Sequence, residues 1–251
     1  MLLKIFSYNI HGLPIISDSW CEPIAEWFNG IDYDFICLQE VFTQRRVEMV
    51  TKSLEANGYV VLKPNDFKKR KNMFSSGLIT GIKKDSWSVI SETFVDYTAS
   101  AGVELFANKG FHSIRVRHNS DMNFTINLIN THMQSDNPTN YFAGCIDTDP
   151  IRRLQALQIY EFIKGCGSER HFLVGDLNSE TETHTSFLYL TGVKNGIKKH
   201  TFPETGEDLD HVAILPNYWL PYTLPVIKTI SVLTKLKWSD HWPIHVYVIL
   251  K

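Results

Sequence analysis

The sequence predicts an α/β fold in which two β-sheets pack face to face and carry helices on their outer sides. Three observations predict it. The first sixty residues alternate short apolar runs with amphipathic stretches, residues 59–133 are a succession of strand-like runs, and the last third returns to helix and then to strands. With 43% hydrophobic residues in 251, the chain can fill a sizeable core. No internal repeat, linker or low-complexity segment interrupts it, so a single domain over 1–251 is expected.

Residues 2–10 (LLKIFSYNI) and 34–41 (DFICLQEV) are apolar, rich in β-formers and end in polar residues, the pattern of buried strands. Between them, Ser17, Asp18 or Ser19 can cap a helix with Trp20, Ile24, Trp27 and Phe28 on its apolar face, stopped by Gly30. A second helix from Thr43 to Asn57 places Val47, Val50 and Leu54 on one stripe before Gly58. The runs YVVL, SSGLITGI, SWSVISETFV, FHSIRVRH and FTINLINTHM then read as strands separated by turns. Lys68 to Lys71 (KKRK) is a basic run, read as a solvated loop, with phosphate contact as the alternative.

Pro150 starts a helix through Lys164, with Ile151, Leu154, Leu157, Phe162 and Ile163 on its inner face and Gly165 as terminator. HFLVGDLN, LDHVAIL and IHVYVIL are further strands. Ile230, Val232, Leu236 and Trp238 alternate with Thr229, Ser231, Lys235 and Lys237, which predicts a half-exposed strand.

Lys and Arg number 25 against 27 Asp and Glu, a net charge of −2, so no broad basic field recruits a polyanion. Charged residues at 21% and aromatics at 12% exclude a disordered, tail-rich chain. Cys21, Cys37, Cys145 and Cys166 form no CxxC pair and have no zinc-finger spacing, which fits reduced thiols in an intracellular protein. The opening MLLKIFSYNIHG is too short in apolar residues for a signal peptide, and no stretch approaches the roughly 20 residues of a membrane span. A cytoplasmic or peripheral membrane location is therefore expected, without a transmembrane segment.

Polar residues recur at strand ends: Asn9, Gln39 with Glu40, Asn130 with His132, Asp176 with Asn178, Asp210, and Asp240 with His241. Strand ends are where distant parts of an α/β chain converge on one crevice. A single strand-ending Asn or Asp is usually only a turn residue. As a set, Glu40, Asp176, Asp240, Asn9 and Asn178 offer hard oxygen ligands suited to Mg²⁺ or Mn²⁺, not to zinc. Two histidines without cysteine partners are left to move protons, with Asp210 available to fix a tautomer. This chemistry fits attack on a phosphate ester.

In that order, SYNIHG, LQEV, NTHMQSD, GDLNSE, LDHVAI and SDHWPI resemble the successive motifs of the endonuclease/exonuclease/phosphatase superfamily, from Ser7 to Ile244. The resemblance implies a DNase I-like, four-layered α/β sandwich of two mixed sheets, and a metal-dependent phosphoric ester hydrolase. It implies Glu40 as metal-binding glutamate with Asn9 beside it and Asp240 as a metal-proximal aspartate. It implies His241 as general base oriented by Asp210, His132 as stabiliser of the phosphorane or leaving group, and Asp176 with Asn178 positioning nucleophile and phosphate. His11, His112, His118, His171, His184, His200 and His245 read as surface or satisfied core groups, and by strand alternation His211 faces away from Asp210.

Loops, not the fold, choose the substrate. NTHMQSD is similar to the Thr-His-Leu-Gln segment of neutral sphingomyelinases, and Ala107 to Val116 (ANKGFHSIRV) resembles their Lys-Gly strand, where Lys109 would neutralise a phosphate oxygen. Asn217 to Lys228 (NYWLPYTLPVIK) is aromatic enough to enter a lipid interface, or packs beneath the sheet. No basic and aromatic stripe follows a nucleic-acid backbone. The expected activity is therefore sphingomyelinase-like cleavage of a phospholipid head group. A nuclease or 5′-tyrosyl-DNA phosphodiesterase is the runner-up, and an inactive binding module on the same fold is the third reading. The complete acid, base and metal set argues against the last.

Overall fold

The computed structural model describes residues 1–13, 21–64, 72–136, 147–166, 170–179, 200–215, 226–236 and 238–250. In chain order its elements are β1 (Leu2–Asn9), α1 (Cys21–Trp27), β2 (Phe35–Gln39), α2 (Gln44–Ala56), β3 (Tyr59–Leu62), β4 (Ile79–Lys83), β5 (Trp87–Asp96), a 3-10 turn (Gly102–Phe106), β6 (Gly110–His118), β7 (Asp121–His132), α3 (Asp149–Lys164), β8 (Arg170–Asp176), β9 (Asp210–Leu215), β10 (Val226–Val232) and β11 (Ile244–Ile249). One sheet has the order β10-β11-β1-β2-β4-β3 and the other β5-β6-β7-β8-β9. Each is mixed, because β1–β2 and β7–β8 are parallel and the remaining pairs antiparallel.

The two-residue period of the strands sorts side chains into layers. Leu3, Ile5, Phe35, Ile114, Leu128, Phe172, Val174, Val212 and Val246 meet between the sheets. The alternate residues Phe6, Ile36 and Leu38 face outward and pack on Ile24 and Phe28 and on Val47, Val50 and Leu54 of α2. On the far side, Phe111, Ile129 and Leu173 pack on Ala156, Ile159 and Ile163 of α3. The result is four layers: helices, sheet, sheet, helix.

Thr43 caps α2 by accepting from the Arg46 amide at 3.4 Å, and Gly58 follows at φ 84°, a left-handed conformation that glycine adopts without strain.

Two expectations need correction. Leu154 and Leu157 are about half exposed and do not face the core; α3 instead buries Arg152, Gln155, Ala156, Ile159 and Ile163. The inner face is rotated because Arg152 and Gln155 find hydrogen-bond partners on it, at Gln134 and Ala99 and at the more exposed Asp136. The alternation from Thr229 to Trp238 does not continue as strand: β10 stops at Val232, and the chain turns so that the Leu236 amide donates to the Leu233 carbonyl at 3.0 Å.

Ser17, Asp18, Ser19 and Trp20, the KKRK run, and 217–225 of the aromatic segment lie outside the described residues. Among the described residues, Cys37 is a buried free thiol, Cys166 Sγ donates to the Phe162 carbonyl at 3.3 Å, and no helix is long and apolar enough to cross a membrane.

At one end of the inter-sheet layer the inward positions turn polar. Gln39 Nε2 donates to Asn130 Oδ1 at 2.9 Å across the sheets, and Asn130 Nδ2 donates to the Ile79 carbonyl at 3.1 Å. Asn130 is thus a strut between the sheets, one layer beneath the candidate site.

Candidate active site

Strand register brings the predicted residues together. Asn9 ends β1 opposite Gln39, so Glu40, the next residue, leaves β2 beside it. In the other sheet His132 pairs with Asp176 and Asp176 with Asp210, so three strands deliver three side chains at one level. The segment 239–241, just before β11, adds Asp240 and His241.

One amide joins the two sheets at this point. Asn9 Nδ2 donates to Glu40 Oε1 and to Asp176 Oδ2, both at 2.9 Å. Its Oδ1 accepts from the His11 amide at 3.0 Å, so the nitrogen side of the amide faces the carboxylates. Asp176 Oδ1 accepts from the Asn178 amide at 2.8 Å, and Asn178 Nδ2 donates to the Met133 carbonyl at 3.1 Å. His132 Nε2 lies 3.8 Å from Glu40 Oε1 and 3.7 Å from Asp176 Oδ2, and His241 Nε2 lies 3.6 Å from the same Asp176 oxygen. Asp176 is the point on which the cluster converges.

The backbone is shaped for this convergence. Glu40 at φ 60° and Asn178 at φ 49° occupy the left-handed region that costs most residues energy. A side chain at Gly12 would collide with the Glu40 carbonyl, and one at Gly175 with the Thr131 carbonyl, next to His132 and Asp176. Close backbone approach explains glycine at both positions.

His241 Nδ1 is 2.7 Å from Asp210 Oδ2, both buried, which leaves Nε2 turned toward Asp176. Thr201 fastens this pair from behind. Its Oγ1 accepts from the Leu209 and Asp210 amides at 2.9 and 3.0 Å, and its carbonyl accepts from the Trp242 amide at 2.7 Å. The Phe202 ring lies 5.0 Å from the His241 ring. No sequence signal marks Thr201 or Phe202, whose partners are reached only through the fold.

His11, read from sequence as a surface or core group, is instead part of the cluster: its Nδ1 meets Asp240 Oδ2 at 2.6 Å. Its place in SYNIHG, two residues after Asn9, was the available signal. Ser239 Oγ donates to the Asn9 carbonyl at 2.7 Å, accepts from the His241 amide at 3.2 Å, and lies 3.1 Å from Asp240 Oδ1. His211 faces away as alternation required, with its Nε2 2.8 Å from the Ser179 carbonyl. Lys109 is buried, paired with Glu104 at 2.7 Å and donating to the Met133 carbonyl at 3.2 Å.

The two site histidines titrate in opposite directions. Burial, with the Lys109 charge, pushes His132 down to about 3. Burial also acts to lower His241, but the charges of Asp210 and Asp176 and the hydrogen bond that His241 donates to Asp210 outweigh it and raise this group to about 10. Burial raises Glu40 against the opposing Asn9 hydrogen bond. Burial would raise Asp240 too, yet the His11 hydrogen bond and nearby positive charge hold it below the usual carboxylate range.

Asp176, Asp210 and His241 also lie close enough, within 4.8 Å, to share an ion. The facing atoms of Asp210 and His241 are already bonded to each other, whereas Glu40 Oε2 is buried without a hydrogen-bond partner. The Glu40 and Asp176 side of the cluster is therefore the better cation receptor.

The family described as Endonuclease/Exonuclease/phosphatase matches residues 6–241. Among solved structures, a variant of beta toxin from Staphylococcus aureus with bound magnesium ions has a TM-score of 0.80 at 16% identity, covering 98% of this chain and 99% of that one. Sphingomyelinase C from Streptomyces griseocarneus has a TM-score of 0.73 at 18% identity, covering 98% and 99%. TDP2 from D. rerio with a single-strand DNA product has a TM-score of 0.72 at 14% identity, covering 99% of each chain. At these identities the likeness is one of fold, the DNase I-like sandwich. No curated protein sequence matches the chain.

Proposed function

The chain belongs to the Endonuclease/Exonuclease/phosphatase family, which makes it a phosphoric ester hydrolase, and from that premise we propose a Mg²⁺-dependent, sphingomyelinase-like phosphodiesterase. The observation that carries the reading is the His241–Asp210 pair aimed at the Asp176 carboxylate, with Glu40 joined to Asp176 through Asn9.

The residues fit a hard divalent cation. Glu40 Oε2 is a buried carboxylate oxygen without a partner, and the carboxylates of Glu40 and Asp176 are hard donors of the kind such an ion prefers. Glu40 and Asp176 would hold the ion. Asn9, with its nitrogen turned to them, and Asp240, engaged by His11 and Ser239, would support the site from its edge. Bound there, Mg²⁺ would supply Lewis-acid charge to a phosphate oxygen and offset the two carboxylates; Mn²⁺ fits the same donors.

With its carboxylate neighbours unopposed, His241 holds a proton at neutral pH, so its service as a base depends on that charge being offset. Asp210 fixes the tautomer with the proton on Nδ1, and Nε2 then takes the proton of the attacking water. His132 stays neutral and donates toward the developing charge or the leaving oxygen. Asn178 and Lys109 bind phosphate oxygens.

The TM-scores of 0.73 and 0.72 do not separate a lipid from a DNA substrate. The lipid reading rests on NTHMQSD and ANKGFHSIRV and on the aromatic segment 217–228, through which peripheral membrane contact would occur. The second reading, DNA or phosphotyrosyl-DNA hydrolysis, rests on the likeness to TDP2. The test is turnover with Mg²⁺ or EDTA on sphingomyelin liposomes, single- and double-stranded DNA, a 5′-phosphotyrosyl oligonucleotide and inositol phosphates. Sphingomyelin is expected to turn over. Hydrolysis of DNA with none of sphingomyelin ends the lipid reading.

A further inference from the structure

We propose that Arg152 and Gln155 of α3 are positioning residues that clamp the segment Met133–Asp136 from behind and through it fix Asn178 and Lys109 in the site. The kinetic part of this proposal rests on the phosphodiesterase reading; the structural part does not.

Met133 is the junction. Its amide donates to the Asp176 carbonyl at 2.9 Å, and its carbonyl accepts from both Asn178 Nδ2 at 3.1 Å and Lys109 Nζ at 3.2 Å. Wherever this peptide moves, the two side chains proposed to bind phosphate move with it. The next residue, Gln134, is held by α3: its amide donates to Gln155 Oε1 at 3.0 Å and its carbonyl accepts from Arg152 Nη1 at 3.2 Å.

The clamp is closed on both sides. Gln155 Nε2 donates to the Ala99 carbonyl at 2.8 Å, and Gln134 Oε1 accepts from the Ala101 amide at 2.9 Å, tying in the chain before Glu104. Arg152 also donates to Asp136 at 2.6 Å, to Thr148 Oγ1 at 3.0 Å and to Asp149.

Gln134 and Gln155 are fully buried and Arg152 nearly so, while Leu154 and Leu157 on the same helix face solvent. If α3 served only to cover the sheet, an apolar inner face would suffice, because buried polar groups gain little net stability over apolar ones of the same shape. What the polar face adds is directional: an amide and a planar guanidinium each fix two partners at once.

The test is amide hydrogen exchange of the full chain together with hydrolysis of bis(4-nitrophenyl) phosphate in Mg²⁺, for Gln155→Leu and Gln155→Glu. Gln155→Leu should speed exchange at Gln134 and Ala101 at least tenfold and leave Val174 in β8 protected. Gln155→Glu, which keeps the acceptor, should restore Gln134. The rate should fall on the order of tenfold to a hundredfold in Gln155→Leu. That loss should shrink when Asn178 is already alanine, since both changes act through one contact. A purely structural role predicts losses that multiply. Unchanged exchange at Gln134, or multiplicative losses, overturns the proposal. Should Gln155→Leu fail to fold, Arg152→Lys, which keeps the charge and loses the fork, is read by the same exchange at Gln134. A wild-type chain that leaves the diester intact contradicts the phosphodiesterase reading, and exchange alone then decides the clamp.

Discussion

The two ends of the layer between the sheets are built from the same strands and are equally buried, yet one is apolar and the other charged. At the base, Leu3, Ile5, Phe35, Leu128, Phe172 and Val174 are removed from solvent. A few residues along, the same inward faces carry Asn9, Gln39, Asn130, His132 and Asp176, each at most 5% exposed. The base gains free energy from burial without directional demands. The polar end must satisfy each group by hydrogen bonding, and it leaves Glu40 Oε2, His132 Nδ1 and Asp210 Oδ1 unsatisfied. His11, Glu40 and Asn178, at left-handed φ, are also at that end. Stability and chemistry are thus segregated along a strand's length.

That segregation can be broken most forcefully at His241. His241→Ala should lower kcat by about 10² to 10⁴; because the raised His241 also stabilises the fold at neutral pH, the urea midpoint there should fall too, and the rate is read where the variant is folded. A large loss of stability with little loss of rate would mean that the polar end is structural. The reciprocal change, Leu128→Ala at the base, should cost about 2–5 kcal/mol of unfolding free energy and leave kcat within about twofold at temperatures where the protein is folded.

A smaller effect separates the two histidines by pH. His132, pushed down to about 3 from an ordinary 6.5, contributes stability that is present above pH 6.5 and lost as pH falls toward 3. His241, raised to about 10, contributes stability present below pH 6.5 and lost as pH rises toward 10. Urea midpoints in EDTA should therefore fall on both sides of neutrality. His132→Gln should flatten the acid limb and His241→Asn the alkaline one; the reverse assignment would refute the electrostatic account.

What was legible in the sequence was whatever alternation or a local motif could carry. Period two turned His211 away from Asp210, and strand-end position with the ordered motifs gathered Asn9, Asp176, Asp210 and most of the cluster. Burial of polar groups was not legible. Nothing local shows that Arg152 and Gln155 are buried against Gln134, Asp136 and Ala99, and the apolar stripe alone points Leu154 and Leu157 inward. His11 lies in the SYNIHG motif, but its partner Asp240 is at the other end of the chain and is reached only through the fold. The end of β10 at Val232 depends on a turn that the alternation through Trp238 does not reveal.

The central claim is that the polar end hydrolyses phosphodiesters through a divalent cation held by Glu40 and Asp176. Hydrolysis of bis(4-nitrophenyl) phosphate by wild-type and Glu40→Gln protein, in Mg²⁺ and in EDTA, tests it most directly. Wild-type turnover should appear with Mg²⁺, stop in EDTA and fall at least tenfold in Glu40→Gln. Turnover that persists in EDTA, or that Glu40→Gln leaves unchanged, would contradict the account.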